Sequence, residues 1–153
     1  MGGKGIELGM EAAKKLGLKL KIVGAGPLKI EPHKNIDILG QVSDGELVQL
    51  YAGAKGFLAL SRDEDFGITP VEAISCGCPV IAFKGGGYKE TVVEGKTGLF
   101  FQDYNIKSLT HVLQRFEKMK FKQEDCLKQA EKFSKARFKQ EIREFAARHS
   151  PGK

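Results

Sequence analysis

The sequence predicts an α/β fold, a Rossmann-like, mostly parallel sheet with helices on both faces, ending in C-terminal helices. Short apolar segments typical of buried strands alternate along the chain with longer segments whose apolar residues recur at helical spacing. No internal repeat, low-complexity segment or obvious linker interrupts this alternation. Because parallel neighbours in a sheet need crossover connections, usually helices, the alternation indicates βα units.

The first predicted element is a helix over 5–16, where apolar residues are spaced helically and Gly17 follows as a typical helix-ending residue. The strands are apolar runs, predicted at 18–23, 36–39, 56–60, 79–82 and, at the sheet edge, 99–101. The other helices are predicted at 44–52, 67–76, 88–93, 106–116, 123–133 and 134–147.

Length and composition indicate one globular domain over 1–153, large enough to bury a core. Hydrophobic residues make up 41% and charged residues 29% of the chain, which is ordinary for a soluble protein. No apolar run approaches the roughly 18 residues of a membrane span, and the N-terminus does not resemble a signal peptide. Three cysteines argue against a disulfide framework and favour a reducing, cytoplasmic compartment.

The net charge of +6 is concentrated near the C-terminal end, where 118–148 carries ten basic against five acidic side chains. A solvated face of the terminal helices is the favoured interpretation. The alternative is attraction to an anionic acceptor or an anionic membrane surface, which would place the protein peripherally at the inner face of the membrane. Nucleic-acid binding ranks last, because aromatic residues do not alternate with the basic ones as a stacking platform requires.

The candidate site is centred on 61–81, with the sequence SRDEDFGITPVEAISCGCPVI. A predicted strand leads into an acidic loop, a Phe-Gly pair and an apolar-patterned helix that stops at Gly77. Loops at the carboxyl ends of strands that lead into helix N-termini are where α/β sheets place anionic ligands, because free backbone amides point outward there. Glu64 and Glu72 flank this turn and can both face one ligand.

The residues of this segment resemble a motif of a known protein family. Glu64 and Glu72, with FGITPVEA, resemble the E-x7-E motif of retaining glycosyltransferases of the GT-B fold, and more narrowly the group 1 glycosyltransferases. That group includes glycogen synthases, sucrose synthases and many bacterial mannosyltransferases. The similarity continues through GCPVIA and GGGYKETVVEGKTGLFF and runs from about Lys4 to the C-terminal helices. It corresponds to the second half of such an enzyme, the half that binds the nucleotide diphosphate sugar.

The resemblance implies roles for the two glutamates. Glu64 would contact the transferred sugar near its anomeric carbon and stabilise oxocarbenium-like charge. Glu72 would hydrogen-bond the ribose hydroxyls of the donor. From the local sequence alone, Glu64 reads as an exposed acid in an acidic loop. The local sequence alone also indicates that Glu72 completes a T-x-x-E capping box that begins at Thr69.

The diphosphate is expected to meet backbone amides and one lysine. The resemblance implies that the amides of Phe66, Gly67 and Ile68 approach the sugar and phosphate, which the missing Cβ of Gly67 permits. Lys4 matches the lysine that neutralises the donor diphosphate, although it also reads as a surface lysine at a frayed terminus. Its partner arginine is absent from the pattern, and Arg62 is a nearby cation without an assigned role.

Three further glycine-containing segments resemble parts of the donor site. Gly24 and Gly26 match a G-x-G-P turn after a strand, and this turn is not a dinucleotide fingerprint. The loop around Val42 resembles the segment that cradles the nucleobase through main-chain contacts, and it also supplies a Ser or Asp N-cap. Gly86 and Gly87 resemble the glycine-rich segment near the donor sugar.

A metal site is an alternative interpretation of the acidic loop. Asp63 and Asp65 form a D-x-D pattern, which can hold a divalent cation against a diphosphate. The surrounding residues match the metal-independent class at many more positions, so neither a metal nor another cofactor is expected. Cys76 and Cys78 lack ligands at zinc spacing and are interpreted as buried thiols.

The sequence therefore predicts the donor-binding domain of a retaining hexosyltransferase, with a mannosyltransferase of polysaccharide or glycan synthesis as the nearest type. In the resembled domain a central strand ending in Gly-Arg precedes the lysine, and here Met1-Gly2-Gly3 stands in its place. The favoured interpretation is that the first strand and the N-terminal acceptor domain of the parent are missing from this chain. A divergent domain without its middle strand is the other interpretation. A non-catalytic nucleotide-sugar-binding module is the alternative function.

Overall fold

The computed structural model describes residues 5–24, 29–62 and 68–133 of the chain, and the side chain of Ile68 is not described. The elements, in chain order, are α1 Ile6–Leu16, β1 Leu20–Val23, β2 Ile36–Gly40, α2 Asp44–Gly53, β3 Phe57–Ala59, α3 Ile68–Ser75, β4 Val80–Phe83, α4 Tyr88–Thr91, β5 Gly98–Phe101, α5 Ile106–Lys118 and α6 Gln123–Glu131. Each element predicted within these residues is present, with altered ends. The helix predicted at 134–147 lies outside the described residues.

Two boundaries differ from prediction for local reasons. The first strand begins at Leu20 rather than at Leu18, because the Leu18 amide donates to the Ala13 carbonyl oxygen at 2.9 Å and completes the end of α1. Gly17 supports this ending with a left-handed backbone, φ 67°. The helix α4 ends at Thr91 rather than at Val93, because the Val93 amide donates to the Thr97 hydroxyl at 2.8 Å and opens the next turn.

All strand pairs are parallel, which confirms the predicted α/β class, but within the described residues they form two sheets. The strands β1 and β2 pair with Leu20 opposite Ile36. The order of the second sheet is β3-β4-β5, with Phe57 opposite Val80 and Val80 opposite Gly98. No ladder joins the two sheets in this part of the chain. The single predicted sheet is therefore divided between β1–β2 and β3–β5.

Helices cover both faces of β3–β5, as predicted. Successive strand residues point to opposite faces, so Val80 and Ala82 lie in one core cluster and Ile81 lies in the other. The first cluster includes Ala73 of α3 and Cys126 of α6. The second cluster consists of β-strand residues packed against apolar side chains of α1 and α5, among them Ala12, Leu109, Val112, Leu113 and Phe116.

Packing between β4 and β5 is close enough to require a glycine. A Cβ at Gly98 would overlap the carbonyl oxygen of Val80 on the neighbouring strand. The glycine therefore lets the two backbones approach where the side chain of any other residue would separate them.

Candidate functional site

Several residues predicted to form the site lie outside the described residues, namely Lys4, Gly26, Asp63, Glu64, Asp65, Phe66 and Gly67. The others lie at the carboxyl ends of the strands or in the helices that follow them. Ile68 begins α3, Gly24 follows β1, Val42 follows β2, and Gly86 and Gly87 follow β4.

Glu72 lies in the second turn of α3, with an exposed side chain. Its Oε2 accepts a hydrogen bond of 3.5 Å from the hydroxyl of Tyr51, which belongs to α2. The helix already includes Ile68, so Thr69 lies inside it and is not its N-cap. The capping-box interpretation of Glu72 is therefore wrong, since that box requires Thr69 as the first non-helical residue.

Tyr104 connects three segments of the chain near the end of β3. Its hydroxyl donates to the Leu60 carbonyl oxygen at 2.7 Å, and its ring meets the edge of Phe83 at 5.1 Å. The Arg62 guanidinium lies 5.0 Å from the ring centroid, within cation–π distance. A Cβ at Gly5 would overlap the Tyr104 hydroxyl, so the segment before α1 also lies against it. Gly5, the neighbour of Lys4 in the sequence, is thereby held beside Leu60 and Tyr104.

Burial raises the pKa of Tyr104, and the nearby Arg62 charge acts in the opposite direction by favouring the phenolate. The phenol thus stays protonated at neutral pH and remains a hydrogen-bond donor to the backbone. Because that backbone oxygen belongs to Leu60, the Tyr104 contact fixes the residue three positions before the acidic loop.

The glycine-rich segment 85–87 lies beside Arg62, in the segment that follows β3. A Cβ at Gly85 would lie 3.8 Å from the Arg62 carbonyl oxygen, so the segments that follow β3 and β4 are neighbours. Gly86 has φ 50°, a left-handed conformation that side-chain-bearing residues rarely adopt. Gly87 is buried at the start of α4.

Gly24 and Val42, which were predicted to lie near the nucleobase, follow the strands of the β1–β2 sheet. The Gly24 amide donates to the Gly40 carbonyl oxygen at 2.9 Å, which brings the turns after β1 and β2 together. Val42 lines an open cavity of about 410 Å³ with side chains of β2, its loop and α2, namely Leu39, Gln41, Glu46, Gln49 and Leu50. Ser43 caps α2 by accepting from the Glu46 amide at 3.2 Å, as expected for this loop.

The structure thus brings the predicted residues together in two groups. Gly24 and Val42 lie by β1–β2, whereas Glu72, Gly86 and Gly87 lie by β3–β5. Helix α2 links the two groups, because it begins just after Val42 and contacts Glu72 through Tyr51. The sequence analysis missed Tyr51 and Tyr104, since their contacts with Glu72 and Leu60 span 21 and 44 positions and leave no local spacing signal.

In the part of the chain that the structure describes, no group of three or more His, Cys, Asp or Glu side chains could hold a metal ion. Cys78 is a buried free thiol, as predicted, and so is Cys126, whereas the prediction is wrong for Cys76, whose thiol is only partly buried. Burial raises the pKa of Cys78 to about 12 and that of Cys126 to about 11, so both are protonated at neutral pH.

Among the described residues, no helix combines the length and apolar character that crossing a membrane requires.

Parallel α/β domains with glycine-containing turns at the carboxyl ends of their strands are an architecture typical of nucleotide-binding proteins. The family comparison is more specific. A family model described as "Glycosyl transferases group 1" matches residues 3–133, so the chain belongs to this family.

Curated relatives agree with this assignment. An uncharacterised glycosyltransferase of Methanocaldococcus jannaschii is 32% identical over 114 residues, which are 69% of this chain and 32% of the relative. The sulfoquinovosyl transferase of Arabidopsis thaliana is 31% identical over 120 residues, covering 70% of this chain and 24% of the relative. Sucrose synthase isoform 1 of Daucus carota is 38% identical over 79 residues, 51% of this chain and 10% of the relative. The chain spans about a third or less of the length of these relatives.

Solved structures share the fold. A glycosyltransferase from Rickettsia africae superposes with a TM-score of 0.81 at 21% identity, covering 99% of this chain and 46% of that chain. The sucrose-phosphate synthase of Thermosynechococcus elongatus gives 0.80 at 23% identity, with 95% and 43% covered. The Anabaena HepE protein, crystallised with UDP, gives 0.75 at 22% identity, with 96% and 46% covered. The predicted α/β domain of GT-B type is thereby confirmed.

Proposed function

We propose that this domain binds the nucleotide diphosphate sugar in a retaining group 1 glycosyltransferase that transfers a hexosyl group, with mannose as the candidate sugar. The observation that carries the proposal is the Glu72 carboxylate. It is exposed on the helix that follows β3, within a domain of this family, and a buried tyrosine contacts it from the neighbouring helix. The UDP complex of the structurally similar HepE protein supports a nucleoside diphosphate as the ligand.

In this proposal the ligand lies along the carboxyl ends of the strands. Glu72 accepts hydrogen bonds from the ribose hydroxyls, and the loop around Val42 contacts the base beside the Gly24–Gly26 turn. Gly86 and Gly87 let the backbone approach the donor sugar, because neither carries a side chain. This arrangement uses both groups of predicted residues and places the ribose between them.

The reacting end of the donor is assigned to the acidic loop. Lys4 and the amides of Phe66, Gly67 and Ile68 stabilise the leaving diphosphate, since a cation and helix N-terminal amides both favour negative charge. Glu64 stabilises positive charge that develops on the transferred sugar, because a carboxylate can offer negative charge beside it. No metal ion is needed in this scheme.

The test is the variant Glu72→Gln, which keeps the size of the side chain and removes its charge. A charged acceptor contributes about 1.5–3 kcal/mol per hydrogen bond, so we expect UDP affinity to fall roughly ten- to hundredfold. Titration calorimetry of the 153-residue chain measures it, with UDP compared against 2′,3′-dideoxy-UDP. The wild-type chain should prefer UDP, and the variant should lose that preference.

The matched control is Glu117→Gln, an exposed glutamate of α5, which packs on the opposite face of the sheet. It should leave both affinities unchanged. Should wild-type protein bind the two nucleotides equally, with Glu72→Gln altering neither affinity, Glu72 is not a ribose ligand and the proposal fails.

A further inference from the structure

Tyr51 is a polar side chain in the core of the domain, next to the proposed ribose ligand. It is 8% exposed and belongs to the same apolar cluster as Ala73 and Ile74 of α3. Its ring meets the ring of Phe57 edge-on, at a centroid distance of 5.4 Å and an interplanar angle of 80°. The ring is therefore held by neighbours on α3 and β3, and its hydroxyl has a defined position.

That hydroxyl donates to Oε2 of Glu72 at 3.5 Å. We propose that Tyr51 is a positioning residue, whose hydroxyl holds the Glu72 carboxylate in the orientation that receives the ribose hydroxyls. The inference rests on the proposed function, because it assigns the ribose to Glu72.

The chemistry of the two groups suits this arrangement. An ionised carboxylate has two oxygens that together offer about four acceptor positions. One bond to Tyr51 at Oε2 leaves Oε1 and the remaining positions free for two ribose hydroxyls. Exposed glutamates sample several rotamers, and restricting one of them costs side-chain entropy at the moment of binding. A donor fixed by the core reduces this cost in advance.

The protonation state of Tyr51 is also suitable. Burial raises the pKa of Tyr51, and the negative charge of Glu72 raises it further, with smaller contributions from Cys76 and Cys78. The phenol therefore keeps its proton throughout the physiological range. It acts only as a donor toward the carboxylate and not as a competing anion.

The test variant is Tyr51→Phe, which retains the ring and its contact with Phe57 while removing the hydroxyl. We expect UDP affinity to fall about three- to tenfold, the effect of one hydrogen bond. Affinity for 2′,3′-dideoxy-UDP should not change. The thermal midpoint should stay within about 3 °C of the wild type, because the ring still fills its place in the core.

A double-mutant cycle isolates the contribution that the Tyr51–Glu72 interaction makes to UDP binding. In the Glu72→Gln background, Tyr51→Phe should lower UDP affinity less than twofold, since the carboxylate that the hydroxyl would hold is already gone. The control is Thr110→Val, which removes another buried hydroxyl, one that donates to the Ile106 carbonyl oxygen in α5 at 2.8 Å. It should change neither nucleotide affinity.

The outcomes separate the inference from the proposed function. If Glu72→Gln loses the preference for UDP and Tyr51→Phe keeps the full wild-type affinity, the positioning role is overturned and the ribose assignment stands. Equal losses for both nucleotides in Tyr51→Phe also overturn it, because a purely structural defect would act that way. If the wild-type chain binds UDP and 2′,3′-dideoxy-UDP equally and Glu72→Gln alters neither affinity, both the proposed function and the inference fail.

Discussion

The two sheets of this domain have the same parallel pairing and very different burial. In β3–β5, all four residues of β5 and three of the four in β4 are buried. In β1–β2 only Ile22 and Ile36 are buried, while Val23, Ile38 and Leu39 are 37%, 45% and 40% exposed. The difference follows from the helices, because β3–β5 is covered on both faces and the described residues 29–35 between β1 and β2 form no helix.

This contrast matters for the candidate site, because each sheet carries part of it. Glu72, Gly86 and Gly87 lie by the well-covered sheet, and Gly24 and Val42 by the exposed one. Regions with few buried apolar contacts open locally at lower free energy than regions in a packed core. The residues proposed to contact the ribose and the sugar thus lie by the packed sheet, whereas those proposed to contact the nucleobase lie by the sheet with fewer buried side chains.

Truncating one isoleucine in each sheet should show the largest difference. Ile81 of β4 is 2% exposed and Ile38 of β2 is 45% exposed, although both are strand residues of the same type. Ile81→Ala should reduce the free energy of unfolding by about 3–5 kcal/mol, because it leaves a cavity in the core. Ile38→Ala should cost less than about 1 kcal/mol. Urea denaturation measures both, and equal losses would show that the exposed sheet is as tightly packed as the other.

A pair of glycine substitutions should give the next largest effect. Gly98→Ala places a Cβ against the Val80 carbonyl oxygen, and we expect a loss of about 2–3 kcal/mol as β4 and β5 separate. Gly45 of α2 has no neighbouring atom within 4 Å of the corresponding position. Gly45→Ala should therefore stabilise the domain slightly, by about 0.5 kcal/mol, because alanine is the better helix former. Thermal unfolding of the two variants checks this, and a fully stable Gly98→Ala protein would contradict the close packing.

The smallest effect concerns alkaline stability of the well-covered sheet. Burial raises the pKa of Cys78 to about 12 and of Cys126 to about 11 from 9.0, so folding favours the protonated thiols. Their contribution is complete below about pH 9 and is lost as the pH rises through the folded values. Between pH 8 and 10, wild type should lose on the order of 1 kcal/mol more than the single variant Cys78→Ala, which removes one of these thiols. Cys76→Ala, at a partly exposed thiol, is the control, and parallel pH profiles for all three proteins would refute the assignment.

Much of the fold could be predicted because its signals are local. Apolar spacing and the glycine after α1 indicated that helix, and apolar runs indicated each strand within a few residues. The loop before α2 was predicted to supply a Ser or Asp N-cap, and Ser43 is that cap. The same local reasoning was wrong for Thr69, where the helix had already begun at Ile68. A cap motif indicates a boundary only when no earlier residue continues the helix.

By itself, the sequence determined the α/β class, the order of the elements and the motifs that indicated the family, since these depend on residues close together in the chain. Only the tertiary structure decided which sheet is well covered and which side chains support the site. The Tyr51–Glu72 and Tyr104–Leu60 contacts join residues 21 and 44 positions apart. Such contacts depend on how helices and strands pack against one another, and the spacing of residues within each element does not record that packing.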